Sequence, residues 1–260
     1  MSTYWLFIVF SALIFGFVIW MLFFRKKKKM DIPPDFPEDW RKILTQKVSF
    51  YEHLGSAERS RFEEEISHFF EKTAVTGVEM EIDDTDRLLV AASAVIPLFG
   101  FPQLRYRNIS EVLLYRGTFN ADYQTEGEAR NILGQVGSGT MNRLMILSLP
   151  ALHQGFENEK SKSNVGIHEF VHLIDKADGG TDGVPENLMQ KQYVLPWLQL
   201  VHQEIEKIKE DESDINPYAA TNEAEFLSVA SEYFFSQPEL FENRHPELYA
   251  LMTKMYRQEP

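Results

Sequence analysis

Residues 164–176 read NVGIHEFVHLIDK. Apolar residues recur through this stretch at helical spacing, so we predict a largely buried helix. His168 and His172 are four residues apart and therefore share one helical face, where both imidazoles can reach a single zinc ion. Glu169 is displaced by about 100° around the helix axis, so its carboxylate can address a water molecule on the metal.

The HExxH spacing of these residues predicts the chemistry of a zinc hydrolase. Zinc lowers the pKa of a bound water towards ~7, and the carboxylate of Glu169 accepts its proton. One alternative is a hydrogen-bonded pair of core histidines without a metal, and another is a purely structural zinc. A structural zinc usually has four protein ligands, and the nearest spare histidines, His153 and His202, share no spacing with the motif.

A catalytic zinc needs a third protein ligand, and the first candidate is Asp178. This residue gives the spacing HExxHxxDxxD. Enzymes with a third ligand at that position have a glycine three residues after the second histidine. This chain has Asp175 there instead, which disfavours Asp178. We expect Asp175 to orient a ligand imidazole or to cap the end of the helix.

Two further carboxylates, Glu225 and Glu232, lie on a predicted helix over residues 222–235. Either one can complete a set of two histidines and one glutamate, and spacing alone does not separate them. Glu225 also has the capping-box spacing from Asn222. Tyr218 follows an Asn-Pro turn just before this helix; it can donate a hydrogen bond to a transition-state oxyanion or serve only in packing.

The charge of the chain is unevenly distributed. The formal net charge is −13, from 26 basic and 39 acidic residues. Five of the basic residues form the run 25–29 and every acidic residue follows it, so residues 31–260 carry a net charge of −18. Such a surface repels phosphate backbones, and we expect no direct nucleic-acid binding. The chain has no cysteine, which excludes disulfides and cysteine-ligated metals.

The N-terminal segment predicts a membrane anchor. Residues 5–24 carry no charge, and 20 helical residues span about 30 Å, the thickness of the bilayer core. The basic run 25–29 follows at once, so the positive-inside rule places the remaining chain in the cytoplasm, attached to the inner membrane by one helix. A cleaved signal peptide is the rival interpretation, but it requires its basic residues before a shorter apolar segment.

The organisation that follows is an anchor over residues 1–30, a proline-rich linker over 31–39 and a globular domain over 40–260. Alternating or continuous apolar runs predict strands at residues 78–82, 112–119 and 143–147. Helical patterns dominate the second half of the chain. Strands that cluster ahead of helices indicate an α+β fold, with helices packed against a small mixed sheet.

Several motif blocks together resemble the Mlc titration factor A family of bacterial zinc peptidases. Around the zinc, that family is similar to the catalytic domain of anthrax lethal factor. The likeness extends from about Trp40 to the end of the chain. The blocks that carry it are 165–175 (VGIHEFVHLID), 183–185 (GVP), 218–226 (YAATNEAEF) and 231–235 (SEYFF).

The resemblance implies a zincin-like fold in which His168, His172 and Glu225 bind one Zn²⁺. It implies Glu169 as the general base and Tyr218 as the residue that assists the transition state. In such folds an edge strand above the zinc binds the substrate backbone, and 143–147 is the natural candidate.

The implied activity is aminopeptidase-like hydrolysis of small peptides. Enterobacterial members of the family bind the repressor Mlc. A protein regulator is therefore an expected partner beside a peptide or protein substrate. The alternative function is a membrane-tethered regulatory module in which peptidase activity is secondary.

Overall fold

The computed structural model describes residues 33, 35–120, 123–124, 131–137, 139, 142–157 and 160–260. The predicted anchor over residues 5–24 lies outside these ranges. Within them, no helix combines the length and the apolar character that a bilayer crossing requires. The membrane helix therefore stays a prediction.

The described ranges contain ten α-helices and two 3₁₀ helices, numbered here in chain order. The 3₁₀ helices are Lys176–Asp178 and Pro217–Thr221. The α-helices are α1 (Glu38–Lys47), α2 (Ser49–His53), α3 (Ser56–Lys72), α4 (Asp84–Leu98), α5 (Leu149–Glu157), α6 (Val165–Asp175), α7 (Lys191–Lys209), α8 (Glu223–Ser236), α9 (Pro238–Arg244) and α10 (Pro246–Tyr256).

Four short strands form one mixed sheet, which confirms the α+β prediction. They are β1 (Ala74–Gly77), β2 (Ile109–Tyr115), β3 (Gly134–Val136) and β4 (Arg143–Ser148), in the spatial order β1-β2-β4-β3. The first three neighbours, β1, β2 and β4, run parallel. β3 pairs antiparallel with β4 and forms one edge of the sheet.

One predicted strand was misplaced, and another was predicted correctly but does not form the expected edge of the sheet. The first strand occupies 74–77 rather than 78–82, because Gly77 is the last residue in register with β2 and Glu79 then adopts a φ of 55°, which turns the chain out of the sheet. The segment 143–147 is a strand, but it is an inner one, since β4 lies between β2 and β3. Only three residues make up the actual edge strand β3, too few to show an alternating pattern.

The core forms around α4, whose residues from Leu88 to Leu98 are all buried. The helix begins at an N-cap, where the Asp83 side chain accepts a hydrogen bond from the Asp86 backbone N–H. α4 packs against α6, which in turn packs against α8 and the edge strand β3. On the side of α6 that faces α3, the ring of Phe170 contacts the rings of Phe69 and Tyr106. The apolar face of α6 is thereby held in the interior.

Candidate metal and active site

The packing of α6 against α8 brings two histidines and one glutamate together. Nε2 of His168 lies 3.1 Å from Nε2 of His172 and 3.1 Å from Oε2 of Glu225. Nε2 of His172 lies 3.3 Å from the same Glu225 oxygen. One potential ligand atom from each residue thus falls within 4.8 Å of the other two, so the three side chains point at one position.

The donor set fits a metal ion. Nδ1 of His168 lies 2.7 Å from Oε1 of Glu232, and a carboxylate can only accept, so we assign the ring proton to Nδ1. The lone pair on Nε2 then faces the carboxylate of Glu225 at 3.1 Å, and a cation shared between these two acceptors, either a proton or a metal ion, would satisfy both. Two imidazole nitrogens and one carboxylate oxygen are the ligands of a common catalytic zinc site.

The pKa values reflect the same convergence. Burial disfavours the charged form of His168, but its hydrogen bonds to Glu225 and Glu232 outweigh burial and raise its pKa to about 10. Burial likewise disfavours the Glu225 carboxylate, yet His168 and His172 lower the pKa of Glu225 well below its usual value. Both shifts show that the cluster stabilises positive charge beside a carboxylate.

Glu232 supports the cluster from behind. While Oε1 holds His168, its Oε2 accepts a hydrogen bond of 2.6 Å from the backbone N–H of Asn164. The Asn164 side chain caps α6 by accepting from the Ile167 N–H. Glu232 therefore fixes both the orientation of the His168 ring and the start of α6. Histidines that bind a metal usually donate their other ring N–H to such a carboxylate.

The geometry separates the two glutamates that spacing left open, since Glu225 faces both Nε2 atoms and Glu232 faces Nδ1. The backbone N–H of Glu225 donates to Asn222 as a helix cap, but the Glu225 side chain points to the histidines. The sequence reasoning missed Ser228, whose hydroxyl lies 3.2 Å from Nδ1 of His172. The spacing of residues 225, 228 and 232 could have identified Ser228, because it places all three residues on one helical face.

The two aspartates near the end of α6 have structural roles. Asp178 is exposed, and its oxygens accept from the backbone N–H groups of Gly180 and Glu186, so the structure does not bring it to the histidines. The expectation that Asp175 orients an imidazole was wrong. Its Oδ2 accepts from the Gly183 N–H at 3.0 Å, which ties the end of α6 to the loop before α7.

Glu169 lies beside the cluster on the sheet side of α6. Its side chain is 5% exposed. A Cβ atom at Gly134 of β3 would come within 2.7 Å of its Cγ and Oε1 atoms. Burial raises the pKa of Glu169, and the charges of His168 and His172 partly oppose this shift. The edge strand thus presents bare backbone to a buried carboxyl group.

Tyr218 lies on the open side of the cluster. It belongs to the 3₁₀ helix Pro217–Thr221, and its backbone N–H donates to Asn216. Its ring centroid is 6.2 Å from that of His168, and the residue is 53% exposed. Burial and the nearby carboxylates of Glu225 and Glu169 raise its pKa. The hydroxyl is therefore a proton donor that faces both the cluster and solvent.

The two remaining candidate histidines lie elsewhere. Nε2 of His153 is 2.7 Å from Oδ1 of Asp86, and His202 pairs with Glu223 on the surface at 3.2 Å. Within the described part of the chain, the group formed by His168, His172 and Glu225 is the one set that could hold a metal ion.

Fold and site together define a metallopeptidase-like protein, with paired histidines on one buried helix and a carboxylate from a second helix packed against it. The chain belongs to the glucose-regulated metallo-peptidase M90 family, whose model matches residues 22–257.

Curated relatives agree with this assignment. Mlc titration factor A of Pectobacterium atrosepticum is 31% identical over 198 residues, covering 70% of this chain and 72% of its own. Mlc titration factor A of Klebsiella pneumoniae is 27% identical over 85% of this chain and 86% of its own. An uncharacterized protein of Synechocystis is 28% identical over 96% and 93%. The resemblance to the Mlc titration factor A family is therefore confirmed.

Proposed function

We propose that this protein is a zinc-dependent peptidase whose metal ligands are His168, His172 and Glu225. The observation that carries the proposal is the convergence of two Nε2 atoms and one carboxylate oxygen within hydrogen-bonding distance of one another. A bound zinc ion would supply Lewis acidity, which polarises a carbonyl group and acidifies water. The α+β architecture and the HExxH helix support the assignment of this domain to the zincin-like folds.

Glu169 is proposed as the general base and acid. Its carboxylate is buried beside the cluster and next to Gly134, where it can take a proton from an attacking water. The same oxygen can then deliver that proton to the departing amine, which is the usual exchange of roles in peptide hydrolysis. Tyr218, on the opposite and more exposed side, is proposed to donate its O–H to the oxygen that becomes negative in the transition state.

We propose that the substrate backbone binds along β3 rather than along 143–147. β3 is the edge strand beside the cluster, and a Cβ added at Gly134 would lie 2.7 Å from the proposed base, so a peptide added to this edge would pass the cluster. Leu133, just before the strand, is 47% exposed and offers an apolar contact for a substrate side chain. We further propose that short peptides with free N-termini are the preferred substrates, as in an aminopeptidase.

The test compares full-length Glu169→Gln with the unaltered chain on short peptides with free and with acetylated N-termini. We expect the variant to keep its zinc and to lose roughly 10²–10⁴-fold in turnover, the range for a general base. Glu223→Gln is the matched control, because Glu223 lies on α8 outside the cluster. A fully active Glu169→Gln protein would contradict the mechanism. Equal cleavage of acetylated peptides would contradict only the aminopeptidase preference.

We also propose that residues 5–24 anchor the chain in the inner membrane with the domain in the cytoplasm. The uncharged run and the basic residues after it support this orientation. Because the chain has no cysteine, Ser2→Cys and Ser60→Cys variants can report topology. We expect an impermeant maleimide to label Ser2→Cys in cells with a permeabilised outer membrane and Ser60→Cys only after lysis. The reverse pattern would contradict the orientation.

A second function is suggested by the name of two relatives, Mlc titration factor A. We propose, as the alternative to a primary peptidase, that the domain binds a transcriptional regulator at the membrane. This function predicts that Glu169→Gln retains a regulator of the Mlc type in a pull-down while it hydrolyses nothing. Loss of the regulator in the inactive variant would favour catalysis as the primary function.

A further inference from the structure

A cavity lies away from the candidate metal site. Its volume is about 790 Å³, within the range of roughly 300–1,000 Å³ that ligand pockets take. Its wall is mainly apolar and comes from α3, α4 and the segment after α4. Representative side chains in this wall are Phe69, Val95, Leu98, Phe99 and Leu104.

The cavity and the metal cluster lie at opposite ends of the sheet. The cavity is bordered by Ile109 and Arg143, the first residues of β2 and β4, which are register partners. Glu169 instead meets Gly134, the register partner of Leu147 near the carboxyl end of β4. The cavity is therefore not an extension of the proposed peptidase site.

Three cationic side chains line one border of the cavity, at the amino ends of three neighbouring parallel strands. Lys72 precedes β1, Arg107 precedes β2, and Arg143 begins β4, and all three residues are exposed. The side chains of Lys72, Arg107 and Arg143 have no hydrogen-bond or ion-pair partner within the described ranges. The adjacent strands bring these charges to one border of the sheet.

The other charged groups at the cavity already have partners, and Nδ1 of His68 lies 3.5 Å from the Glu71 carboxylate. Arg105 donates to Glu65 at 2.9 Å and to the carbonyl oxygens of Pro102 and Leu104. Three exposed cations thus lie together at one cavity, although residues 31–260 carry a net charge of −18. Because hydrogen bonds to charged groups are the stronger ones, these cations define the kind of ligand that the cavity would accept.

We propose that this cavity binds an anionic amphiphile, an acyl chain with a carboxylate or phosphate head. The apolar wall would remove the chain from water, which is the main driving force for binding such molecules. Lys72, Arg107 and Arg143 would hold the head at the rim. The proposal goes beyond peptide hydrolysis and does not depend on it, since none of these residues belongs to the metal cluster.

Photo-crosslinking tests the proposal on the full-length chain in phosphatidylcholine nanodiscs. The probe is palmitate with a diazirine in mid-chain, and peptide mass spectrometry locates the crosslinks. We expect crosslinks concentrated in residues 94–99, with labelling reduced about ten-fold when Lys72, Arg107 and Arg143 are all changed to glutamine. The matched control changes Lys191, Lys209 and Arg244 to glutamine. These three exposed cations lie away from the cavity, so labelling should stay unchanged.

A second variant and three further ligands complete the test. Val95→Trp places a bulky ring in the apolar wall of the cavity without altering the rim and should also reduce labelling of residues 94–99. Diazirine-labelled phosphatidylglycerol distinguishes a membrane lipid from free fatty acid as the source of the ligand. A diazirine-labelled hexadecanol has the same chain without a charge, and equal labelling by this neutral probe would overturn the proposal. Labelling that stays unchanged when Lys72, Arg107 and Arg143 are replaced would overturn it as well. Displacement by an acidic peptide but not by palmitate would also overturn it, in favour of a protein partner.

Discussion

Oε1 of Glu232 lies 2.7 Å from Nδ1 of His168, and Oε2 of the same carboxylate accepts the backbone N–H of Asn164 at 2.6 Å. One buried side chain thus orients a proposed ligand ring and holds the residue that caps its helix. The position of His168 depends on α8 as much as on α6. Metal binding and the packing of these two helices should therefore be coupled.

Glu232→Gln should weaken zinc binding about ten-fold, at the lower end of the range for outer partners of metal-bound histidines. Glutamine has a single acceptor oxygen, so it can accept from Nδ1 of His168 or from the Asn164 N–H but not from both, and it no longer supplies the negative charge that makes the ring a better ligand. Competition with a calibrated zinc chelator measures the change. Glu225→Gln should bind zinc far more weakly than Glu232→Gln, and the opposite order would contradict the assignment of the two glutamates.

Gly134→Ala should reduce turnover while zinc content stays the same. The added Cβ would lie 2.7 Å from both Cγ and Oε1 of Glu169, so the carboxylate must shift. A displacement of about 1 Å in a reacting group can cost about 10²-fold in rate. Gly117→Ala is the matched control, because no atom lies within 4 Å of its added Cβ. Equal activity of the two variants would show that Glu169 needs no glycine beside it.

Tyr218→Phe should lower kcat roughly 10–10³-fold and leave KM nearly unchanged, because the lost hydrogen bond forms only in the transition state. The ring of Tyr218 lies 6.2 Å from that of His168, and phenylalanine preserves that packing. Steady-state kinetics on a short peptide separates the two parameters. A rise in KM at constant kcat would instead assign Tyr218 to substrate binding.

A partly buried ion cluster outside the site should make stability depend on pH. Nε2 of His245 lies 2.7 Å from Asp214 and Nδ1 lies 3.3 Å from Glu204. Burial lowers the pKa of His245, but these two carboxylates outweigh burial and raise it above its ordinary value. Burial opposes ionisation of Asp214 as well, yet hydrogen bonds from Lys162, His245 and Tyr233 lower its pKa to about 2.

His245→Gln should therefore reduce the free energy of unfolding by about 2 kcal/mol at pH 6, the size expected for hydrogen bonds to a charged group. Because the folded-state pKa of His245 is raised, its contribution is complete below about 6.5 and is lost as the pH rises through the folded value. The deficit of the variant should shrink accordingly in urea titrations at higher pH. His202→Gln, which removes an exposed pair, should change stability by less than about 0.5 kcal/mol at any pH.

The sequence was sufficient to predict the fold class and the histidine-bearing helix. The apolar periodicity of 164–176 corresponds to α6, and its N-cap is Asn164. Spacing could not separate Glu225 from Glu232, because residues seven apart share one helical face. Which of the two glutamates reaches the Nε2 atoms depends on where along its length α8 packs against α6, and only the packed structure shows this.

The edge strand β3 and the side chains that hold the histidine rings were harder to predict. β3 has the sequence Gly-Gln-Val, which carries no alternation, and its pairing with β4 is set by tertiary contacts. The first strand ends early because Glu79 adopts a positive φ, although nothing in that residue type requires it. Ser228 was recognisable only as a polar residue on the face shared by Glu225 and Glu232.

The most direct test of the central claim is zinc-edge anomalous diffraction from crystals of the full-length protein, beside metal analysis of Glu225→Ala and Asp178→Ala. We predict one zinc ion bound by Nε2 of His168, Nε2 of His172 and the Glu225 carboxylate, lost in Glu225→Ala and retained in Asp178→Ala. A protein that takes up no zinc, or an ion bound through Asp178 instead of Glu225, would contradict the account.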